Sequence, residues 1–200
     1  FRSLSNDIPD SAVEALLAVC MKNAPIFQRY FKLKAKLCKI STMNRYHIYA
    51  PHRAEQKSYR YPDAVRMVLD AYYGFSPRLA ELAQRVFADR HIDARMKAGK
   101  MGGAYCYSVT PNVTHYVVLN FTGEGPDIAN MAHELGHAVH AMMAEQHNVF
   151  TFHSTLPLAE TASVFGERIL SDALMASESS KSVKQSLLVN QLDDIYATVM

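Results

Sequence analysis

The sequence lacks the features that mark membrane-spanning and secreted proteins. No window approaches about 18 uninterrupted apolar residues, and the amino terminus does not show the basic, apolar and small-residue order of a signal peptide. Cysteine is scarce as well, and the three residues lie far apart, which suits reduced thiols better than a disulfide framework. We therefore expect a cytoplasmic protein with no membrane partner.

An excess of one charge is missing too. The 21 basic and 19 acidic residues leave a formal net charge of +2, and no block of basic residues is present. Proteins that bind the phosphate backbone of nucleic acids use such a block, so nucleic acid is not an expected partner. With 49% apolar residues in 200 positions, and no repeat or low-complexity tract, the composition predicts a globular protein with one sizeable core.

The two ends of the sequence are informative. The chain starts at Phe1 rather than at a methionine, and it stops at Met200 within a predicted helix. We therefore expect a piece of a longer protein. Neither composition nor motifs indicate an oligomeric state.

Periodicity predicts a mainly α-fold with a small antiparallel β-hairpin or sheet. β-Branched and aromatic residues flank a Thr-Pro-Asn turn, which predicts strands at 104–109 and 114–121. A loop is expected at 44–52. The chain thus divides into a helical region, 1–103, and a region with the hairpin and later helices, 104–200, within one continuous core. Helical periodicity recurs at residues 9–37, 62–73, 77–90, 126–146, 157–176 and 181–200.

The stretch MAHELGHAVH, residues 131–140, places metal-binding residue types on an apolar helix. His133 and His137 are four residues apart, so on a helix they lie about 40° apart on one face and can converge on one cation. In this HExxH arrangement Glu134 lies beside the metal's open position, where a bound water would lie, and is the natural proton acceptor. The alternative is a helix with incidental histidines.

A catalytic zinc site needs a third protein ligand. Glu160, in PLAETASVFGE, follows His137 by 160 − 137 = 23 residues and falls on the next predicted helix, which could cross antiparallel to the first. Glu167 lies on the same face two turns later, and it could orient a ligand imidazole or simply face solvent. His140 does not fit the HExxHxxGxxH pattern, and such a histidine is more often structural.

The rest of the histidine-bearing helix predicts close packing. Gly136 costs a helix about 1 kcal/mol relative to Ala, so we expect another backbone close to it, such as the second ligand helix. We interpret the strand at 114–121 as an edge strand that could pair with an extended peptide, although it could instead be paired inside a sheet. Six apolar residues are expected in the core: Ile128, Met131, Ala132, Leu135, Val139 and Met142.

Consecutive blocks of the chain resemble the thimet oligopeptidase and oligoendopeptidase F family of zinc metallopeptidases, and most closely its oligoendopeptidase F branch. The blocks are GGAYCYSVTPNVTHYVVLNFTG, MAHELGHAVH and LAETASVFGE, and NRYHIYAP resembles a segment upstream of them. Together they cover roughly residues 44–200. The resemblance implies a mostly helical fold with a small sheet, which is a zincin-like metallopeptidase core of the gluzincin type.

Position by position, the resemblance implies Zn²⁺ as cofactor, His133, His137 and Glu160 as its ligands, and Glu134 as the general base on a zinc-bound water. It also implies an endopeptidase that hydrolyses short oligopeptides inside a deep channel. In that family the tyrosine and histidine that stabilise the tetrahedral intermediate lie downstream, beyond Met200. The alternatives are a dipeptidyl-carboxypeptidase-type peptidase, a zinc-binding fragment without activity, and a helical interaction module with an accidental HExxH.

Overall fold

The computed structural model describes residues 2–48, 50 and 57–199 of the chain. The helices are α1 (Arg2–Asn6), α2 (Asp10–Leu37), a 3₁₀ helix (Arg45–His47), α3 (Tyr61–Phe75), α4 (Pro77–Ala88), α5 (Gly125–Met143), α6 (Leu156–Ser177) and α7 (Lys181–Val199). The strands are β1 (Ile92–Arg95), β2 (Tyr105–Tyr107) and β3 (Tyr116–Phe121). The predicted mainly α-fold with a small sheet is therefore confirmed.

Each segment with predicted helical periodicity forms a helix, and the bounds differ from the predicted ones by a few residues. Met200, at the end of the last predicted helix, lies outside the described residues, as do residues 49, 51 and 52 of the loop expected at 44–52. Within the described ranges, no helix is both long and apolar enough to cross a membrane. The cytoplasmic location stays a prediction.

Two compact units make up the chain. The first comprises Phe1–Gln56 and Glu178–Met200, with α1, α2 and α7, and the second comprises Lys57–Ser177, with α3 to α6 and the whole sheet. Residue 103, where sequence analysis places the change from the helical region to the later region, lies inside the second unit. That earlier division stays a prediction.

In the first unit, a buried ion pair joins α2 to α7. The Lys34 ammonium is fully buried and lies 2.7 Å from both carboxylate oxygens of Asp193. It also donates to the Ile48 carbonyl, while the Tyr30 hydroxyl donates to Asp193 at 2.6 Å. Because removal of one partner would leave a buried charge unpaired, at a cost of about 3–5 kcal/mol, this contact fixes the two helices against each other.

The sheet of the second unit has the order β1-β3-β2, with β3 parallel to β1 and antiparallel to β2. The predicted pairing of β2 with β3 is confirmed. The interpretation of the strand at 114–121 as an edge strand is wrong, because β1, which sequence analysis did not predict, covers its other side. The edge strands that follow from this order are β1 and β2.

The start of α5 is fixed by one carboxylate. Asp127 Oδ2 accepts hydrogen bonds from the backbone N–H groups of Thr122, Gly123 and Glu124 at 2.7, 2.9 and 3.1 Å, and from the Thr122 hydroxyl at 2.8 Å. Asp127 is the third residue of α5, and the bond from the Glu124 N–H is half of a capping box, whereas the other donors belong to the turn before the helix. The negative charge also suits the helix dipole there. The turn after β3 therefore leads into α5 at a defined residue.

Helix α5 forms the centre of the second unit and packs against α3, α4, α6 and the sheet. Its apolar residues join the buried side chains of α3, α4 and β3 in one core cluster. The predicted core of α5 is confirmed, since none of its members is more than 4% exposed: Ile128, Met131, Ala132, Leu135, Val139 and Met142.

Two glycines allow α5 and α6 to approach closely. A Cβ on Gly136 would lie 2.7 Å from the Ala162 carbonyl oxygen, and a Cβ on Gly166 would lie 2.8 Å from the Ala132 carbonyl oxygen. The Tyr72 hydroxyl of α3 donates to that same Ala132 carbonyl at 2.6 Å and also contacts the Gly166 position. The close backbone predicted beside Gly136 is thus confirmed, and it belongs to α6.

Candidate metal centre

Helices α5 and α6 bring the three predicted ligand residues together. His133, His137 and Glu160 each offer one ligand atom, and these atoms all lie within 4.8 Å of one another. Nε2 of His133 is 3.3 Å from Glu160 Oε2, and Nε2 of His137 is 3.8 Å from Glu160 Oε1. Two imidazoles with one carboxylate are the donor set of catalytic zinc sites that keep an open position. The residues therefore fit a zinc ion.

Glu167 holds the far side of the first imidazole. Its carboxylate oxygen Oε1 forms a short hydrogen bond with Nδ1 of His133. An ionised carboxylate only accepts hydrogen bonds, so Nδ1 is the donor, and Nε2 is the nitrogen that faces Glu160. Of the two interpretations of Glu167, the structure thus places the residue on the imidazole rather than in open solvent.

Sequence analysis did not identify Ser163, which contacts Glu160. Its side chain is fully buried, and its hydroxyl donates to Glu160 Oε2 at 2.8 Å, with the Glu160 backbone carbonyl at 2.9 Å. The signal available in the sequence is its position three residues after Glu160, which places both side chains on one face of a helix. A serine at that spacing is common in helices, so this signal alone does not single it out.

Glu134 lies beneath the edge strand. Its side chain is 6% exposed, and the backbone N–H of Cys106 in β2 donates a hydrogen bond to its carboxylate. Burial raises the pKa of Glu134 to about 7, and the nearby carboxylate of Glu160 raises it as well. The charge of His133 and the hydrogen bond from Cys106 act in the opposite direction and lower this pKa. The base predicted from the sequence is therefore close to the candidate ligands and to the free edge of the sheet.

The two histidines have opposite pKa shifts. Burial lowers the pKa of His133, but the hydrogen bond and charge of Glu167, with the charges of Glu134 and Glu160, outweigh burial and leave that pKa raised. Burial also lowers the pKa of His137, and the positive charge of His133 lowers it further. Because a cation needs both imidazoles neutral, metal binding at this group competes with protonation and weakens as pH falls.

A cavity of about 350 Å³ opens beside the three residues. It extends from His137 and Glu160 along α5, past His140, to Phe152 in the loop before α6, and β2 forms its other side. His140 lines this cavity and does not belong to the metal-compatible group found among the described residues. The site therefore combines a metal-compatible group, a buried carboxylate and an adjoining space.

Comparison with known proteins places this site in a family. The chain matches the model of Peptidase family M3 over residues 2–199. It is 26% identical over 197 residues to the chromosomal oligoendopeptidase F of Lactococcus lactis subsp. cremoris. That match covers 98% of this chain and 33% of the relative. Group B oligopeptidase PepB of Streptococcus agalactiae is 25% identical over 196 residues, with 98% and 32% covered. The chain thus spans about a third of the length of these relatives.

Solved structures agree with the sequence comparison. A crystal structure of a Chlamydophila abortus protein has a TM-score of 0.82 and 28% sequence identity, and the match covers 96% of this chain and 32% of that one. The family match extends over both units, and it includes every residue of the candidate metal centre. The chain belongs to peptidase family M3.

Proposed function

We propose that the chain forms the metal-holding part of a zinc-dependent endopeptidase that hydrolyses short oligopeptides. The observation that carries this proposal is the convergence of His133, His137 and Glu160, with the buried carboxylate of Glu134 alongside them. The relatives named oligoendopeptidase F support internal cleavage rather than removal of terminal dipeptides.

His133, His137 and Glu160 would hold the zinc ion. When bound, zinc supplies Lewis-acid polarisation of a peptide carbonyl and lowers the pKa of a coordinated water toward about 7. Glu167 keeps the His133 imidazole in the tautomer and orientation that binding requires. Glu134 accepts the proton of the attacking water and delivers it to the leaving amine.

The edge strand β2 is the candidate partner for the peptide backbone. It pairs with β3 on one side only among the described strands, and its residue Cys106 contacts the Glu134 carboxylate. An extended peptide can add to such an edge through backbone hydrogen bonds, which recognise peptides with little regard to their sequence. A peptide bound there would run past the base.

Metal content and turnover test the proposal together. We expect one zinc per purified chain, none in Glu160→Ala, and retained zinc in Glu134→Gln with turnover of a fluorogenic peptide lowered by about 10²-fold or more. Glu81→Gln, which changes an exposed carboxylate of α4, is the matched control and should match the unmodified chain.

Two results would contradict the assignment. Peptide cleavage that persists in Glu134→Gln would exclude Glu134 as the base. Zinc held by the unmodified chain without any cleavage would instead indicate a metal-binding fragment without activity of its own.

A further inference from the structure

Tyr72 is a tyrosine of α3 whose hydroxyl reaches the junction of α5 and α6. Its side chain is fully buried, and the hydroxyl donates to the Ala132 carbonyl of α5 at 2.6 Å. The same hydroxyl lies directly against Gly166 of α6, where an added Cβ would overlap it and would lie 3.3 Å from Cζ of the ring. One hydroxyl therefore contacts both helices that carry the candidate metal centre.

The two contacted residues directly precede the two partners of one hydrogen bond. Ala132 is followed in α5 by His133. Gly166 is followed in α6 by Glu167, whose carboxylate accepts the hydrogen bond from Nδ1 of His133. Because each side chain moves with its own backbone, a hydroxyl held between these two backbone positions also limits the distance between the His133 ring and Glu167.

The helices do not themselves need the bond from Tyr72. Inside a helix the Ala132 carbonyl accepts the N–H of the residue four positions later, Gly136, so the tyrosine adds a second donor to a satisfied carbonyl. Burial raises the pKa of Tyr72, and the negative charge of Glu167 raises it further, so the hydroxyl keeps its proton and remains a donor. A phenylalanine would fill nearly the same volume without a buried hydroxyl, which points to a role in positioning.

We propose that Tyr72 is a positioning residue for the metal centre, and that its hydroxyl keeps His133 and Glu167 within hydrogen-bond distance. Tyr72 does not belong to the metal-compatible group of the described residues, so it acts through the backbones of Ala132 and Gly166. The inference rests on the proposed function, because the orientation of an imidazole affects binding only where a metal is held. Without the hydroxyl, α5 and α6 stay packed, but the His133 ring is held less firmly.

The zinc affinity of Tyr72→Phe, measured by competitive chelator titration, tests this inference without relying on turnover. The change removes only the hydroxyl and keeps the ring, so the circular dichroism spectrum should be that of the unmodified chain. We expect zinc to bind about threefold to tenfold more weakly, the range that loss of one hydrogen bond produces. Tyr73→Phe is the matched control, since it removes a hydroxyl from the next residue of α3, which is 64% exposed. Its zinc affinity should be unchanged.

A double-mutant cycle with Glu167→Ala separates positioning from general packing. Glu167→Ala removes the acceptor of the His133 bond and should weaken zinc binding about 10- to 100-fold. If Tyr72 acts through this bond, adding Tyr72→Phe to Glu167→Ala should weaken zinc binding by less than about twofold more. A tyrosine that only stabilises the fold would lower the affinity by the same factor in both backgrounds.

The proton on Nδ1 of His133 provides a spectroscopic readout of the same bond. In a charge-assisted hydrogen bond this proton gives a separate downfield signal in the NMR spectrum of the zinc-loaded chain, and loss of the signal in Glu167→Ala assigns it. We expect the signal to move upfield in Tyr72→Phe, because the bond lengthens, and to keep its position in Tyr73→Phe.

The outcomes separate this inference from the proposed function. Unchanged zinc affinity in Tyr72→Phe, an equal loss with and without Glu167, or an unmoved Nδ1 signal overturns the positioning role and leaves the zinc-peptidase proposal standing. An unmodified chain that binds no zinc overturns both.

Discussion

At the residue scale, the candidate ligand that most needs support is Glu160. Its side chain is 43% exposed, compared with 24% for His133 and 20% for His137. The Ser163 hydroxyl, 2.8 Å from Glu160 Oε2, restrains this carboxylate. Ser163→Ala should therefore lower zinc affinity about 10- to 100-fold, as loss of such outer contacts does in other metal sites.

A competitive chelator titration would measure this change in affinity. Ser177→Ala is the matched control, because it removes a serine hydroxyl from the same helix at an exposed position. Its zinc affinity should equal that of the unmodified chain. Unchanged affinity in Ser163→Ala would show that Glu160 needs no such restraint.

His115 predicts a dependence of stability on pH. It is fully buried, and neither ring nitrogen has a hydrogen-bond partner within the described part of the chain. Burial lowers its pKa below the ordinary 6.5, and Arg85 adds to this while Glu145 opposes it. Below about pH 6.5 the unfolded chain therefore binds a proton that the folded chain does not, so stability falls as pH falls, until the lower pKa of the folded state is reached.

The free energy of unfolding in urea at several pH values measures this contribution. Below pH 6.5, His115→Phe should reduce the slope of stability against pH by up to about 1.4 kcal/mol per pH unit. His147→Gln, at an exposed position, is the control and should keep the slope of the unmodified chain. An identical slope in His115→Phe would contradict the assignment.

At the scale of elements, the spacing of α5 and α6 depends on Gly136. An added methyl group would lie 2.7 Å from the Ala162 carbonyl oxygen and 2.9 Å from the Ser163 Cα, and neither backbone atom can move without the helix. Gly136→Ala should lower the free energy of unfolding by about 1–3 kcal/mol, despite the better helix propensity of alanine, and should also weaken zinc binding.

Gly125→Ala is the matched control for this change. Gly125 is the first residue of the same helix, and a Cβ there would meet nothing within 4 Å. Urea unfolding and chelator titration should find it close to the unmodified chain. A Gly136→Ala chain as stable as Gly125→Ala would mean that the two helices separate at little cost.

Local patterns predicted most of the helices and the three candidate ligands. Periodicity and the HExxH spacing act within one element, so they are visible without the fold. The order of the strands was not predictable in this way, because β1 is short and has polar residues at Asp93 and Arg95, and its pairing with β3 spans a long stretch of chain. The role of Ser163 was also hidden, since its spacing from Glu160 is unremarkable until the burial of Ser163 and its hydrogen bond to the Glu160 carboxylate are known.

At the scale of the whole molecule, metal binding should stabilise one unit. All candidate ligands lie in the second unit. An ion that binds only the folded state, at a free concentration about a thousand times its dissociation constant, adds about 4 kcal/mol to the free energy of unfolding. Removal of zinc with a chelator should therefore lower the melting temperature of that unit by roughly 8 to 16 °C.

Calorimetric scans with and without chelator would measure this shift. His137→Ala should melt at the same temperature under both conditions, because it lacks a ligand. A chelator effect that is equally large in His137→Ala would place the stabilising ion elsewhere in the chain.

The four donors gathered by Asp127 also determine which way α5 faces. A helix turns about 100° per residue, so a shift of its first turn by one residue would rotate His133 and His137 away from α6 by that angle. Asp127 Oδ2 accepts hydrogen bonds from the backbone N–H groups of Thr122, Gly123 and Glu124. These bonds fix the rotation of α5 about its axis, several residues before either histidine. The turn before α5, which contains no histidine, thereby determines whether His133 and His137 lie close to Glu160.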